Sequence, residues 1–170
     1  IRIPENLVLG FRWHGKKAPV PGDVVEWIPM QRKSGMLFVC VRDAEIDGTV
    51  RKECAFAVRR ALPGLAGHTP TFKVFASAWV PADEALLDTS DPAVGSMDTL
   101  WESLCAQVIL GDSSPAEVDA RMVRNAQIAQ LKADIDKLTR DHQRVKNPAQ
   151  RNEIFAKLHK AKKQLEELQG

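Results

Sequence analysis

The 170-residue chain is predicted to be an α+β protein with a small, mostly antiparallel sheet, covering helices and a C-terminal antiparallel helical hairpin of the coiled-coil type. Residues 1–111 contain short Val-, Pro- and Gly-rich segments, whereas residues 112–170 are rich in Ala, Lys and Gln. GMLFVCVRD, residues 35–43, is a nearly continuous apolar run that is typical of a buried strand. Two apolar heptad patterns in the second part predict paired helices. We therefore place an α+β body at residues 1–111 and the hairpin at residues 112–170.

The first elements of the body are predicted to be two strands and a helix. Residues 23–30, DVVEWIPM, are apolar and β-branched enough for a strand. QRKSG, residues 31–35, supplies hairpin-turn chemistry before the buried strand 35–43. In DGTVRKECAFAVRRALPG, residues 47–64, apolar residues recur at helical spacing, and Pro63-Gly64 ends the segment. This segment is therefore predicted to be a helix, with Arg59 and Arg60 in its last turn.

The body is predicted to end with a third strand and an amphipathic helix. Thr71 to Pro81 alternates apolar with small or polar residues, which favours a strand. A loop follows, and then SMDTLWESLCAQVIL predicts a helix with Ser96 as N-cap and Asp98 in the first turn.

The second part is predicted to form two helices joined by a short turn. Ser114 as N-cap, Pro115 at the first position and Glu117 at the third predict a helix that runs to about Val145. The sequence KNPAQ then ends it, and Asn147 is a good N-cap for a second helix to about residue 169. Spacings of three and four define one apolar seam on each helix: Ile128, Leu131, Ile135, Leu138, His142 and Val145; and Ile154, Leu158, Ala161, Leu165 and Leu168.

Three residues are candidates for contact with a protein partner. Phe155 lies off the narrow seam and is expected to contact a surface outside the hairpin. In FRWHGKKAPVPG, residues 11–22, the prolines favour a stiff, extended entry into the following segment. The Trp13 ring and the Lys16 stem are expected to pack across the sheet or the hairpin base. A partner or nucleic-acid contact by Trp13 and Lys16 is the alternative.

The hairpin also carries candidates for nucleic-acid binding. Residues 115–170 hold 12 Lys or Arg against 8 Asp or Glu, which gives this segment +4 in a chain of net charge +2. Such a face would attract phosphate backbones, although a solvated helix with i,i+4 charge pairs is the favoured interpretation. The candidate residues are Arg140, Arg144, Lys146, Lys157, Lys160 and Lys163.

Catalytic signals are weak. Asp43 and Glu45 follow a predicted strand, and carboxylates at a strand end can hold Mg²⁺, so they are candidates for a divergent metal-dependent nuclease. No Asp/Glu-x-Lys pattern stands on a predicted strand, and no phosphate-binding loop or zinc-ligand spacing is present. We expect no cofactor and no metal site.

Composition points to the cytoplasm. The three cysteines, Cys40, Cys54 and Cys105, are odd in number and lie in apolar surroundings, which predicts buried free thiols in a reducing compartment. No apolar run approaches the roughly 18 residues that span a membrane, so we expect no membrane association.

Several motifs resemble a bacterial domain-of-unknown-function family whose genes lie beside SNF2-type or type III restriction-like helicases and DNA methyltransferases, in restriction and phage-defence islands. The matching elements are Trp13-x-x-Lys16-x-Ala18-Pro19, Val24–Ile28, Ser77–Trp79, a helix like MDTLWESLCAQVI, and the closing hairpin IAQLKADIDKL…NPAQRNEIFAKLHKAKKQLEEL. The resemblance implies a cytoplasmic accessory subunit in a DNA-directed system, and it assigns no catalytic residue. The expected function is thus a non-catalytic subunit that docks to a helicase, methyltransferase or ATPase through its hairpin. A nuclease and a nucleic-acid-binding module are the alternatives.

Overall fold

The computed structural model describes residues 2–13, 18–64, 67–90 and 95–170. The chain forms two compact units, residues 1–119 and residues 120–170. The elements, in chain order, are β1 (Asn6–Trp13), α1 (Gly22–Trp27) with a 3₁₀ turn (Ile28–Gln31), β2 (Gly35–Ile46), β3 (Thr49–Ala61), β4 (Phe72–Ala76), β5 (Val80–Pro81), α2 (Met97–Leu110), α3 (Val118–Arg144) and α4 (Pro148–Gln169). The predicted α+β class is confirmed.

A mixed sheet forms the centre of the first unit. Its strand order is β1-β2-β3-β4, and β5 also pairs with β3. β1 runs parallel to β2, while the β2–β3, β3–β4 and β3–β5 pairs are antiparallel, so the sheet is mostly antiparallel as predicted. β1 was not predicted from the sequence.

Two apolar clusters cover the two faces of this sheet, because side chains alternate between faces along a strand. On one face, Leu37 and Val58 pack with Trp101, Leu104 and Cys105 of α2. On the other face, the buried cluster is Val25 of α1 with Met36, Phe38, Cys40 and Ala57. The long strands β2 and β3 are therefore apolar on both sides over much of their length.

The predicted helix over residues 47–64 is wrong, because this segment is the central strand β3. Both faces of this strand are buried: Cys54 and Val58 point to one face of the sheet, and Ala55 and Ala57 point to the other. The strand is therefore apolar without strict alternation, and its apolar residues could be matched to a helical period. Asp47 and Gly48 have positive φ angles of 51° and 78°, which fits the tight hairpin turn that joins β2 to β3.

The predicted strand over residues 23–30 is also wrong. This segment is α1 followed by the 3₁₀ turn, and QRKSG leads from that turn into β2 instead of forming a hairpin. Val25 is fully buried on the sheet, and Glu26 accepts a 2.9 Å hydrogen bond from Arg59 of β3. Packing of one helical face has therefore overridden the β propensity of Val24, Val25 and Ile28.

The predicted strand from Thr71 to Pro81 is present only in part, as β4 and β5. Between them Ser77 pairs with Phe56 of β3: its backbone N–H donates to the Phe56 carbonyl at 2.8 Å, and its hydroxyl accepts from the Phe56 N–H at 2.9 Å. α2 confirms the cap that the sequence predicts, since Ser96 accepts from the Thr99 N–H and Asp98 lies in the first turn.

The second unit contains α4 and most of α3, which run antiparallel. The Arg124 Nε donates to the Leu168 carbonyl at 2.7 Å, and the His142 and Phe155 rings lie 6.0 Å apart near the connecting turn. All residues of both predicted seams are buried or half-buried. Asn147 caps α4 by accepting from the N–H groups of Ala149 and Gln150, as predicted.

The start of α3 was predicted wrongly. The helix begins at Val118 instead of Pro115, because Glu117 has a φ of 49°, outside the right-handed helical region. The Ser114 hydroxyl accepts a 3.4 Å bond from Ala116 in the turn that precedes the helix.

Candidate functional site

One face of the sheet holds an ion pair that the sequence did not reveal. Arg42 and Glu53 lie opposite each other on β2 and β3, and the Arg42 Nε and terminal N–H donate to one Glu53 oxygen at 3.0 and 2.9 Å. Arg42 also donates to the Ala18 carbonyl at 2.9 Å and stacks over the Trp79 ring at 4.0 Å. Glu53 is 6% exposed, and the hydrogen bonds from Arg42 hold its pKa below the usual range.

A second buried arginine lies on the opposite face. Arg60 of β3 donates twice to the Glu102 carboxylate, at 3.0 and 2.7 Å, and twice to one Asp119 oxygen, at 3.1 and 2.7 Å. Glu102 belongs to α2, and Asp119 lies at the start of α3. All four guanidinium contacts are made with carboxylates of the protein itself, which indicates a structural tie between three elements.

The two nuclease candidates lie on β2 on either side of the buried Ala44; Asp43 is half-buried and Glu45 is exposed. Asp43 and Glu45 are two residues apart and share one face of the strand. Asp43 is opposite Lys52 of β3, and Glu45 is opposite Val50. Glu45 also borders a cavity of about 480 Å³ beside the hairpin turn, which Arg42 and Glu53 line as well. Within the residues that the structure describes, no group of three or more His, Cys, Asp or Glu side chains is placed to hold a metal ion.

Trp13 and Phe155 occupy different environments. Trp13 is half-buried and packs against the α1-side cluster, with its ring 5.9 Å from Phe11, so the expected packing on the sheet is confirmed. Phe155 is 58% exposed on α4. Lys16 lies outside the described residues.

The basic candidates divide into two groups. Lys157 and Lys160 border a groove of about 460 Å³ between α3 and α4, together with Asp134 and Asp141. Lys157 bonds Glu153 at 2.7 Å, and Lys163 lies 4.0 Å from Glu167.

The other group surrounds the turn between the helices. Arg140 and Arg144 lie in the last turns of α3, Lys146 lies in the turn, and all three are exposed. Arg151, in the first turns of α4, is exposed as well and was not predicted as a site residue. The antiparallel pairing brings Arg151 to the same end of the unit, and the turn position of Asn147-Pro148 was a sequence signal that could have identified it.

The cysteines are buried and free, as predicted. Burial raises the pKa of the Cys40 thiol to about 11 and that of Cys105 to about 12. These thiols are therefore protonated at neutral pH and are poor nucleophiles.

These features define an α+β protein whose polar side chains mainly join its own elements and whose exposed basic residues concentrate on a helical pair. The chain belongs to the family described as domain of unknown function DUF4391, whose model matches residues 2–165. No curated protein and no solved structure matches the chain. In the described part of the chain, no helix has the length and apolar character needed to cross a membrane.

Proposed function

We propose that this chain is a non-catalytic accessory subunit of a bacterial DNA-directed complex, of the restriction-like or anti-phage defence type. It docks to a helicase, methyltransferase or ATPase partner in the cytoplasm through its helical pair. The exposed Phe155 is the observation that carries this proposal. The resemblance to families encoded beside such enzymes supplies the class of partner.

Phe155 lies at the edge of the interface between the two helices. Its neighbours Ile154 and Leu158 are covered on the seam, whereas the Phe155 ring lies 6.0 Å from the ring of the seam residue His142 and is 58% exposed. Full burial of such a side chain contributes about 1.5–3 kcal/mol. A partner surface that covers the exposed part of Phe155 would gain a little over half of this free energy, about 1–2 kcal/mol, which corresponds to binding about five- to twenty-fold tighter.

The test is co-expression of the tagged chain with the products of its neighbouring genes, followed by affinity purification. We expect a stable complex with the wild-type chain and about a five- to twenty-fold loss of affinity with Phe155→Ala. Leu86→Ala is the matched control, because Leu86 is 83% exposed on the other unit and should leave binding unchanged. A chain that stays monomeric and alone, or a Phe155→Ala variant that binds as wild type, would refute the proposal.

A divergent metal-dependent nuclease is the competing function. The observation in its favour is that Asp43 and Glu45 share a strand face and that Lys52 stands opposite Asp43. Two carboxylates and a lysine are the residue types that such a site uses with a divalent ion.

A further inference from the structure

We infer that the turn end of the helical pair is a binding site for the phosphate backbone of duplex nucleic acid. The site consists of Arg140, Arg144, Lys146 and Arg151, which we call the turn cluster. It deepens the proposed function by giving the subunit a direct contact with DNA, and it does not depend on the docking of Phe155.

Charge is distributed very unevenly along this chain. Residues 120–170, the second compact unit, hold 12 Lys or Arg and 6 Asp or Glu, a net charge of +6. Residues 1–119 hold 12 and 16 of these residues, a net charge of −4. The helical unit therefore attracts polyanions, although the net charge of the whole chain is only +2.

Within the helical unit, the four charges of the turn cluster are uncompensated and lie at one end. None of its four side chains has an ion-pair partner among the described residues, and all four are exposed. The one acidic residue between positions 140 and 151 is Asp141, which borders the groove that Lys157 and Lys160 also line. Two of the α4 lysines, Lys157 and Lys163, instead have glutamate neighbours one helical turn away.

The spacing of the turn cluster suits a phosphate backbone. Arg140 and Arg144 are separated by four residues, or about 6 Å along α3, and Lys146 and Arg151 extend the cluster across the turn. A duplex presents about one negative charge per 1.7 Å of its axis, so a length of about 10 Å carries roughly six phosphates on its two strands, which is enough to supply a partner for each of the four side chains. Three of the four residues are arginines, which bind phosphate oxygens through two parallel hydrogen bonds. The expected binding is independent of sequence, because phosphate contacts do not read bases.

The proposal is tested with the full chain and a fluorescent 20-base-pair duplex, by anisotropy at several salt concentrations. Substitution of Arg140, Arg144, Lys146 and Arg151 by Gln is expected to weaken binding at least ten-fold. It should also flatten the slope of log K against log salt by about 3–4, since each lost phosphate contact contributes about 0.9.

The matched control is substitution of Lys157, Lys160, Lys162 and Lys163 by Gln, which removes the same charge from the same unit. Along α4, Lys157 stands about 9 Å from Arg151 and the other three lysines about 14–18 Å, all beyond the Debye length of about 8 Å at physiological salt. The control should therefore keep most of the affinity. Thermal melting verifies that both variants are folded.

Three results would overturn the assignment. The first is a wild-type chain that does not bind the duplex at low salt, and the second is equal loss of affinity in the two variants. The third is displacement of the duplex by polyglutamate at a lower charge concentration than by unlabelled duplex, which would identify an acidic protein as the ligand. Failure of the partner co-purification leaves this experiment unaffected, so the two proposals are distinguishable.

Discussion

At the residue scale, Gly35 fixes the junction of β1, β2 and α2. It stands opposite Asn6 in the parallel ladder, and its N–H donates to the Glu5 carbonyl at 3.1 Å. A Cβ atom at this position would collide with the Asn6 Oδ1 and would lie 2.7 Å from the Trp101 ring. The Asn6 amide in turn donates to the Met97 carbonyl at 3.0 Å. The absence of a side chain at Gly35 therefore permits a contact between an edge strand and α2.

Gly35→Ala is predicted to destabilise the protein by about 1–3 kcal/mol, the usual cost of overpacking. The collision involves a buried amide oxygen and a buried indole, and neither can move freely. Urea unfolding measures the change. Gly10→Ala is the control, because nothing lies within 4 Å of a Cβ built there, and an equal loss in both variants would contradict the steric explanation.

Glu53 is the second residue whose environment has a measurable consequence. Glu53→Gln is predicted to cost about 3–5 kcal/mol at neutral pH, because it leaves the Arg42 charge buried and unpaired. The Arg42 side chain is 17% exposed, so water can partly solvate its unpaired charge, and the expected destabilisation lies at the lower end of this range.

The effect of this substitution should depend on pH. Hydrogen bonds from Arg42 lower the pKa of Glu53 in the folded protein, so the ion pair contributes fully above the unfolded value of about 4.3. This contribution is lost as pH falls through the folded pKa. The stability difference between wild type and Glu53→Gln should thus shrink in acid, and urea unfolding at neutral and acid pH would show it. A difference that stays constant with pH would contradict the ion-pair explanation.

At the element scale, Arg60 joins β3 to α2 and to the start of α3. The bidentate bonds to Glu102 and the bonds to Asp119 satisfy a guanidinium that is 9% exposed. Hydrogen bonds between the buried arginine and the carboxylates raise its pKa further above the ordinary value, so Arg60 is charged at every accessible pH. These contacts join β3 to α2 and to Asp119 within the first unit.

Arg60→Met is predicted to destabilise the protein by about 1–3 kcal/mol. The loss is moderate because the side chains of Glu102 and Asp119 are 34% and 58% exposed and can be hydrated. Arg60→Lys should recover only part of the stability, since an ammonium group cannot form the same fork of bonds. Urea unfolding of wild type and the two variants measures the order of their stabilities. An Arg60→Lys variant as stable as wild type would show that a positive charge at this position is sufficient for stability and that the fork of hydrogen bonds is not needed.

The β2–β3 hairpin shows where element prediction fails and why. The Asp47-Gly48 pair is the strongest short-range hairpin signal in the sequence, yet apolar residues at helical spacing favoured a helix instead. Once the hairpin turn is recognised, the antiparallel register follows, and it places Arg42 opposite Glu53 and Asp43 opposite Lys52. The Arg42–Glu53 ion pair could thus have been predicted from the sequence once the turn was identified, but its burial beneath Trp79 could not.

At the scale of the whole molecule, the accessory-subunit function and the nuclease function predict opposite results when the isolated chain is incubated with DNA. A non-catalytic subunit should leave supercoiled plasmid intact in Mg²⁺ or Mn²⁺, whereas a nuclease at Asp43 and Glu45 should nick it. Agarose gels of wild type and of Asp43→Ala/Glu45→Ala decide between them. Cleavage by the wild type that the double variant lacks would refute the accessory function.

The sequence by itself determined the features that depend on residues close together in the chain. The apolar period of the two long helices, the caps at Ser96 and Asn147 and the buried strand at residues 35–43 are all local, and all are present. The free, buried cysteines and the basic character of the C-terminal part were also evident from composition.

The tertiary structure alone decided the features that depend on distant partners. β3 is a strand because it pairs with β2, β4 and β5, and residues 22–27 are helical because Val25 packs on the sheet. Pairing also assembled the turn cluster, since Arg151 joins Arg140 and Arg144 only when α4 folds back along α3. Contacts between residues far apart in sequence can outweigh local propensities of a few tenths of a kcal/mol per residue, which is why the helical hairpin was predictable and the order of the sheet was not.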